Sequence, residues 1–281
     1  FQGFTVLKSQ GIHFLTGSEW VAAVDGNNVP DPANSKFGIA AMLIGTLLCS
    51  IIALAIAVPI SVFTALYLTF YAPGAVKKIL VTIFDLMAAF PSILYGLWGF
   101  FVLMPYAVSA AEFLHRYFGW IPFFQMQAPV FDRSPFVAGV VLAVMIIPIV
   151  TSISREIFSQ TPLDRIQAAY ALGSHRWGMV RAVAFPYARG GIVGGAMLGL
   201  GRAMGETVAV YTVLNIVYQV NWHVLLGAGG NVASMILLKF GEAGPLEVKA
   251  LMAAGLILFL VTLAVNSLAN FIVAKTGKGG R

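Results

Sequence analysis

Charged residues are scarce in this chain, at 10% of 281 residues against about 25% in soluble domains. Hydrophobic residues make up 59% of the sequence, above the usual share of roughly 45–50%. This balance excludes an ordinary soluble domain and indicates a protein that lies largely within a lipid bilayer. The net charge of +6 comes without a basic run interleaved with aromatic residues, so we expect no binding to nucleic acid.

The residues and motifs of common enzyme sites are also lacking. Cys49 is the single cysteine, which excludes an internal disulfide, and the four histidines are scattered rather than set at metal-ligand spacing. The sequence contains no Gly-x-x-x-x-Gly-Lys-Ser/Thr loop for ATP and no nucleophile–base constellation. We therefore expect no catalytic residues, no metal and no cofactor in this chain.

Long apolar stretches are abundant, and five of them approach the roughly 20 residues that a helix needs to cross a bilayer. They cover residues 40–70, 86–107, 136–153, 191–217 and 251–273. The sequence thus predicts an all-α fold, a polytopic membrane helix bundle with five spans in this chain. Its predicted parts are an external N-terminal segment at 1–37, a transmembrane domain at 38–275 and a basic tail at 276–281.

The charges between the spans predict the orientation of the bundle. With five spans the two chain ends lie on opposite faces, and the loops on one face carry ten Lys and Arg residues against six on the other. The richer face is expected to be cytoplasmic. This places the C-terminus and the segment 154–189 inside the cell.

Arg202 and Glu206 are the only charged residues between 190 and 219. A charge at that depth in a bilayer costs at least about 2.5–3.5 kcal/mol, so it normally faces a partner or a watery pathway. At a spacing of four residues the two side chains share one face of a continuous helix and can pair. Together with Thr207 they are predicted to line a transport path. The alternative interpretation is an ion pair that only locks neighbouring helices together.

Small residues recur every four positions along the same predicted span. Gly195 and Gly199 have this spacing, as do Gly201 and Gly205. Because small-xxx-small spacing lets helix backbones approach closely in membranes, these four glycines are predicted helix-packing positions at the centre of a bundle.

The cytoplasmic segment 154–189 is amphipathic rather than membrane-spanning. Its pattern predicts two short helices, the first opened by Pro162 and the second closed by Pro186. Two short helices below a bilayer form a surface on which another protein can dock.

The same segment carries a specific motif. Gln167-Ala-Ala-Tyr-Ala-Leu-Gly173, followed after nine residues by Val183-Ala-Phe-Pro186, resembles the loop through which ABC-importer permeases contact their ATPase. The alanine pair, the glycine and the proline stand at the family spacing, whereas Gln167 stands where the family often has Glu. Segments 14–20, 90–96, 153–158 and 194–207 further resemble the PstC-like permease subunits of phosphate importers.

The resemblance covers nearly the whole chain and implies a function. A PstC-like subunit carries inorganic phosphate across the bacterial cytoplasmic membrane together with a PstA-like second permease. An external phosphate-binding protein and a dimer of ATP-binding subunits, which hold ATP and Mg, complete such a machine. Here the coupling residues would be Gln167, Ala168, Ala169, Gly173 and Pro186. The family has six spans, which implies a first span upstream of Phe1.

Two other functions remain open from the residues. One is a permease for another oxyanion such as molybdate, sulfate or phosphonate, since the docking motif fits it equally and only segment 199–207 argues for phosphate. The other is a membrane signalling or scaffold component that transports nothing. The central charges at Arg202 and Glu206 count against the scaffold.

Overall fold

The computed structural model describes residues 2–24, 30–32, 34–126 and 130–277, and its regular structure is almost entirely helical. The residues before Ala40 form α1 (Gln2–Gln10), α2 (His13–Thr16) and an antiparallel pair of two-residue strands, β1 (Trp20–Val21) and β2 (Lys36–Phe37). The long helices follow. They are α3 (Ala40–Leu66), α4 (Gly74–Ala89), α5 (Ser92–Trp98), α6 (Met104–Phe118) and α7 (Pro135–Ser159).

The second half of the chain alternates short and long helices. These are α8 (Leu163–Ala171), α9 (Arg176–Met179), α10 (Phe185–Gly205), α11 (Val208–Val213), α12 (Val232–Phe240) and α13 (Pro245–Gly277). Wider π-helical turns extend α3 over Tyr67–Tyr71, join α5 to α6 over Gly99–Leu103 and join α9 to α10 over Val180–Ala184. A short 3₁₀ turn covers Pro122–Phe124.

Four helical stretches in the described part of the chain are long and apolar enough to cross a membrane. They are Ala40–Tyr71, Ser92–Phe118, Pro135–Ser159 and Pro245–Ala269. These match four of the predicted spans, and the predicted class, a polytopic all-α membrane protein, is confirmed. The second span starts at Ser92 rather than 86, because Pro91 holds Phe90 in an extended conformation (ψ 137°) and so separates α4 from α5.

The prediction of one continuous span over 191–217 is wrong. Helix α10 ends at Gly205, and the residues after α11 leave helical structure at Leu214. With 21 residues α10 is about 31 Å long, enough for a crossing. Its seven glycines and two arginines make it less apolar than the other four stretches, and it is not among them.

The chain divides into two compact units, the first made of residues 1–52, 91–142 and 203–263. Its core joins the N-terminal segment to the starts of α3, α12 and α13 through Phe14, Phe37, Met42, Val232 and Leu251. The predicted external segment 1–37 is therefore packed onto helices rather than separate from them. Residues 25–29 and 33 of that segment lie outside the described residues.

The second unit is made of residues 53–90, 143–202 and 264–281. Its core is formed by the end of α3, the end of α7, the start of α10 and the short helices between them. The buried side chains include Leu66, Phe158, Ala169, Met179 and Ile192. Helix α13 continues to Gly277, so the predicted tail begins within this helix, and residues 278–281 lie outside the described residues.

Candidate functional site

Glu206 and Thr207 form a break between two helices. Helix α10 ends at Gly205 and α11 begins at Val208, and between them Thr207 has a φ of −106°, outside the usual helical range, with a helical ψ of −62°. The Glu206 carboxylate accepts a hydrogen bond of 3.2 Å from the backbone N–H of Ala209. This side chain gives the start of α11 the partner that a continuing helix would have supplied, and so favours the break.

The Arg202–Glu206 pair was predicted on the assumption of one continuous helix, and the break interrupts that helix. Side chains four residues apart share a face only in an unbroken helix, and α10 ends one residue before Glu206. Arg202 is exposed, whereas Glu206 is buried at 8% exposure. Among the residues that the structure describes, Lys36 and Glu19 form a salt bridge of 3.1 Å, and Arg202 and Glu206 form none. The structure therefore gives Glu206 a capping role.

Thr207 is held to α12 through its backbone. Its carbonyl oxygen accepts a hydrogen bond of 2.8 Å from the hydroxyl of Ser234. The backbone N–H of Ser234 in turn donates to Asn231 Oδ1, the N-cap of α12, at 2.8 Å. The break is thus fixed in position by the first turn of a neighbouring helix.

Thr46 connects the same region to α3. Its hydroxyl oxygen accepts a hydrogen bond of 3.1 Å from the backbone N–H of Val232. Thr46, Asn231 and Ser234 are all buried, and the amide nitrogen of Asn231 has no hydrogen-bond partner among the described residues. Sequence reasoning missed these three residues. Polar side chains within apolar stretches were the available signal, but their partners lie far away in the chain.

The predicted packing glycines fall into two groups. A Cβ atom added to Gly195 would lie 3.0 Å from Ile153 of α7, and one added to Gly199 would lie 3.0 Å from Val150. These two positions let α10 approach α7 closely. A Cβ at Gly201 would make an ordinary contact of 3.8 Å with Asn266, and one at Gly205 would meet nothing within 4 Å.

The predicted coupling motif forms a helix with a defined end. Pro162 precedes the first residue of α8, as predicted. Gly173 adopts φ +81°, its N–H donates to the Tyr170 carbonyl, and the Ser174 N–H donates to the Ala169 carbonyl. This pattern of bonds is the Schellman motif, which requires a left-handed residue and therefore favours glycine. Gly173 thus provides the predicted sharp break.

Pro186 does not close the second helix, contrary to the prediction. The short helix α9 continues through the π-helical turn Val180–Ala184 into α10, and Pro186 is the second residue of α10. A π-helical turn shifts the hydrogen-bond ladder by one residue and leaves a carbonyl without its usual donor. The chain can therefore hold a proline, which lacks an N–H, without ending the helix.

A cleft of about 500 Å³ brings part of the motif together. Its lining includes Ala168 and Ala169 of α8, Pro186 of α10, and the two arginines Arg165 and Arg189. Ala169 is buried in the core of the second unit, whereas Gln167, Ala168, Gly173 and Pro186 are exposed. Leu172, which also lines the cleft, is 87% exposed. Arg165 and Leu172 lie within the predicted docking helices, whereas sequence reasoning missed Arg189 as a part of this surface.

Comparison with known families gives a match over most of the chain. The family described as "Binding-protein-dependent transport system inner membrane component" matches residues 57–278. This range contains the break at Glu206, the cleft and α13.

Curated relatives match almost the entire chain. The phosphate transport system permease protein PstC 2 of Mycobacterium bovis is 42% identical over 97% of this chain and 83% of its own length. PstC of Mycobacterium leprae is 43% identical over 98% of this chain and 83% of its own length. PstC of Pasteurella multocida is 37% identical, with 99% and 84% covered.

Solved structures match the fold. An inward-facing structure of the MetNI methionine ABC transporter aligns with a TM-score of 0.56 at 18% identity, covering 85% of this chain and 94% of that one. A bacterial ABC transporter that imports alginate aligns with a TM-score of 0.54 at 14% identity, covering 84% and 78%. At these identities the likeness concerns the fold alone.

Proposed function

Because the chain belongs to the family of inner membrane components of binding-protein-dependent transport systems, we propose that it carries inorganic phosphate as the permease subunit of an ATP-driven importer. The observation that carries this proposal is the identity of 37–43% to phosphate transport permeases over almost the full chain. The matches cover 97–99% of this chain, a range that includes the helix break and both flanking helices.

Import of this substrate needs an energy source, and coupling to ATP is physically sensible. A divalent anion that enters a negatively charged cell climbs about 5 kcal/mol per 100 mV of membrane potential before any concentration gradient is counted. The chain itself has no phosphate-binding loop for ATP. In the proposed complex, ATP and Mg are bound by a partner, a dimer of ATP-binding subunits.

Arg202 is the proposed counter-charge on the transport path. It lies in the last turn of α10, one helical turn before the break, and its side chain is exposed. A guanidinium stays charged at all physiological pH values and can donate two parallel hydrogen bonds to a phosphate. Broken helices with irregular backbone are a common way to build substrate sites at mid-membrane. Glu206 and Thr207 hold the break, and through it the end of α10.

The cleft beside α8 is the proposed docking site for the ATP-binding subunit. It presents an apolar floor of alanine and proline, one strongly exposed leucine and two arginines. Exposed apolar groups with a charged rim are typical of protein interfaces. In this proposal the cleft and the C-terminus lie on the cytoplasmic face, the face that the distribution of Lys and Arg predicts. A PstA-like permease and an external phosphate-binding protein complete the proposed complex.

Uptake of labelled phosphate tests the proposal. The purified complex is reconstituted in liposomes with ATP, and sulfate, molybdate and phosphonate are added as competitors. We expect ATP-dependent phosphate uptake that the competitors do not reduce. Uptake of one of the other anions in place of phosphate would overturn the substrate. A complex that hydrolyses ATP and moves none of these anions would overturn the transport function.

A further inference from the structure

A second cleft, of about 450 Å³, lies wholly within the first unit, and Arg202 is not among its lining residues. Most of its lining is apolar and comes from the α5–α6 region, α11 and α12, including Phe100 and Leu238. The polar residues in the lining are Arg133, Tyr211, Thr212 and Asn215. A cleft of this size with an apolar wall and a few converging polar groups has the character of a small-ligand site.

The backbone at Arg133 is held in an unusual conformation. Arg133 has φ +50°, the one positive φ of a non-glycine residue in the described ranges. Its carbonyl accepts a hydrogen bond of 3.4 Å from the backbone N–H of Asn215. Left-handed backbone at a residue with a side chain is unfavourable and persists where the surroundings determine it, which occurs often at ligand sites. Here it aims a charged side chain into the cleft.

Two contacts orient the Arg133 guanidinium. Its Nη1 atom lies 3.5 Å from Asn215 Oδ1, and its Cζ atom lies 5.2 Å from the centroid of the Phe100 ring. Asn215 is itself fixed, because its amide nitrogen donates to the Gly227 carbonyl at 3.1 Å. These contacts use one N–H group and one face of the guanidinium. The other donors stay available to a ligand.

The cleft carries uncompensated positive charge. Arg133 is its only charged lining residue, and the neighbouring Asp132 does not line it. Among the described residues, Arg133 forms no salt bridge with a carboxylate within 4.0 Å, and the salt bridge found joins Lys36 to Glu19. Tyr211, which also lines the cleft, has a hydroxyl that can donate a hydrogen bond.

We propose that this cleft binds a phosphoryl oxyanion through Arg133, as a site separate from the transport path at Arg202. The planar guanidinium offers two parallel donors to two oxygens of one phosphoryl group. The anion has two possible sources with the same chemistry: inorganic phosphate, or the headgroup of an anionic lipid whose acyl chains lie on the apolar wall. If the anion is phosphate that binds here before transport, that role rests on the proposed function. The binding of an oxyanion at Arg133 does not.

Thiol chemistry in the cleft tests the proposal without any transport step. Leu238→Cys places a thiol in the cleft, and Leu237→Cys is the matched control, since Leu237 is similarly exposed and does not line it. Both are made with Cys49→Ala in the full chain. The protein is purified together with the subunits it carries and placed in phosphatidylcholine nanodiscs in phosphate-free buffer.

The readout is the ratio of modification rates by an anionic and a cationic methanethiosulfonate reagent. A unit positive charge about 4 Å away in water speeds the anionic reagent about fivefold and slows the cationic one about fivefold, so it changes the ratio about thirtyfold. We expect this preference at position 238 and not at position 237. Arg133→Gln should remove it, and Arg133→Lys, which keeps the charge, should retain it. Equal ratios at both positions, or a preference that survives Arg133→Gln, would overturn the proposal.

The two sources of the anion are separated by protection experiments. Inorganic phosphate is added in one arm, and phosphatidylglycerol replaces part of the phosphatidylcholine in the other. Slower modification at position 238 in the first arm identifies free phosphate, and slower modification in the second identifies a lipid headgroup. No protection in either arm would contradict an oxyanion site. These outcomes do not depend on uptake, so a failure of the proposed transport function is recognised separately.

Discussion

Arg202 is the residue at which the proposed path and the helix-lock interpretation make opposite predictions. If it supplies the counter-charge for phosphate, Arg202→Gln should reduce ATP-driven uptake at least tenfold. A charge-assisted hydrogen bond contributes about 1.5–3 kcal/mol, and about 1.4 kcal/mol corresponds to a factor of ten. Complex assembly should be unchanged. Uptake and co-purification of subunits are measured side by side, with Arg116→Gln, another exposed arginine, as the control.

The joint substitution Arg202→Leu with Glu206→Leu separates the two interpretations further. Replacing both partners of a buried ion pair by apolar residues is often nearly neutral, so a lock predicts that transport continues. The structure instead uses Glu206 to cap α11, and Arg202 is exposed. We therefore expect the double variant to lose uptake. Normal uptake by the double variant would favour the interpretation that the two residues only hold neighbouring helices together.

Tyr218 gives a prediction of pH dependence outside the membrane-spanning stretches. Burial, reinforced by the negative charge of Glu247, raises the pKa of Tyr218 from 10.0 to about 12. Because the pKa is higher in the folded state, the stability linked to this phenol is complete below pH 10 and is lost between pH 10 and 12. The unfolding temperature should fall over this interval.

Tyr218→Phe should weaken that alkaline fall without harm at neutral pH. The Tyr218 hydroxyl has no hydrogen-bond partner among the described residues, and the ring stacks on Trp20 with centroids 6.4 Å apart. A phenylalanine keeps the stacking and has no proton to lose. Thermal unfolding is followed from pH 8 to 12, with the exposed Tyr117→Phe as control. An unchanged alkaline fall in the Tyr218 variant would contradict the assignment.

At the scale of helices, α10 has one face packed closely against α7 and another with open space, and the adjacent glycines Gly195 and Gly194 lie on these two faces. A Cβ at Gly195 would lie 3.0 Å from Ile153, whereas one at Gly194 would meet nothing within 4 Å. Gly195→Val should therefore lower the free energy of unfolding by about 1–3 kcal/mol more than Gly194→Val, since only the first overpacks the contact with α7. The change in helix propensity from glycine to valine is the same for both. Unfolding in detergent measures the difference, and equal losses would refute the packing assignment.

The cleft beside α8 gives a prediction for coupling. Ala168→Trp should fill the cleft and prevent the ATP-binding subunit from docking, because Ala168 lines it and is exposed. Ala171→Trp, at an exposed position that does not line the cleft, is the matched control. We expect the first variant to lose co-purifying ATPase and uptake while its unfolding temperature stays unchanged. Retention of both by Ala168→Trp would place docking elsewhere.

The helices show what hydropathy and short motifs can establish. Pro162 and Gly173 were assigned correctly, because a proline before a helix and a left-handed glycine after it act locally. Pro186 was misassigned, because a π-helical turn accommodates it and leaves no sign in the sequence. The end of α10 was missed because residues 208–217 remain mostly apolar after the break at Glu206.

At the scale of the whole chain, the polar contacts around the break could not be read from the sequence. Thr46 contacts Val232, 186 positions away, and Ser234 contacts Thr207, 27 positions away. Such pairs depend on which helices become neighbours, and a single sequence does not contain that information. The family, by contrast, was recognisable from the segments 167–186 and 194–207. The short motifs thus identified the kind of machine before any contact was known.

Ala169 ties the short helix α8 to the cores of three long helices, because it is buried with residues of α3, α7 and α10. Helix α8 is therefore expected to move as a rigid body with the helices that it packs against. A movement imposed at the cleft is not taken up by the bending of a loop. Helix α8 cannot shift without disturbing a close-packed interior of low compressibility. If an ATP-binding subunit docks at this cleft, as proposed, its movement is expected to displace whole helices.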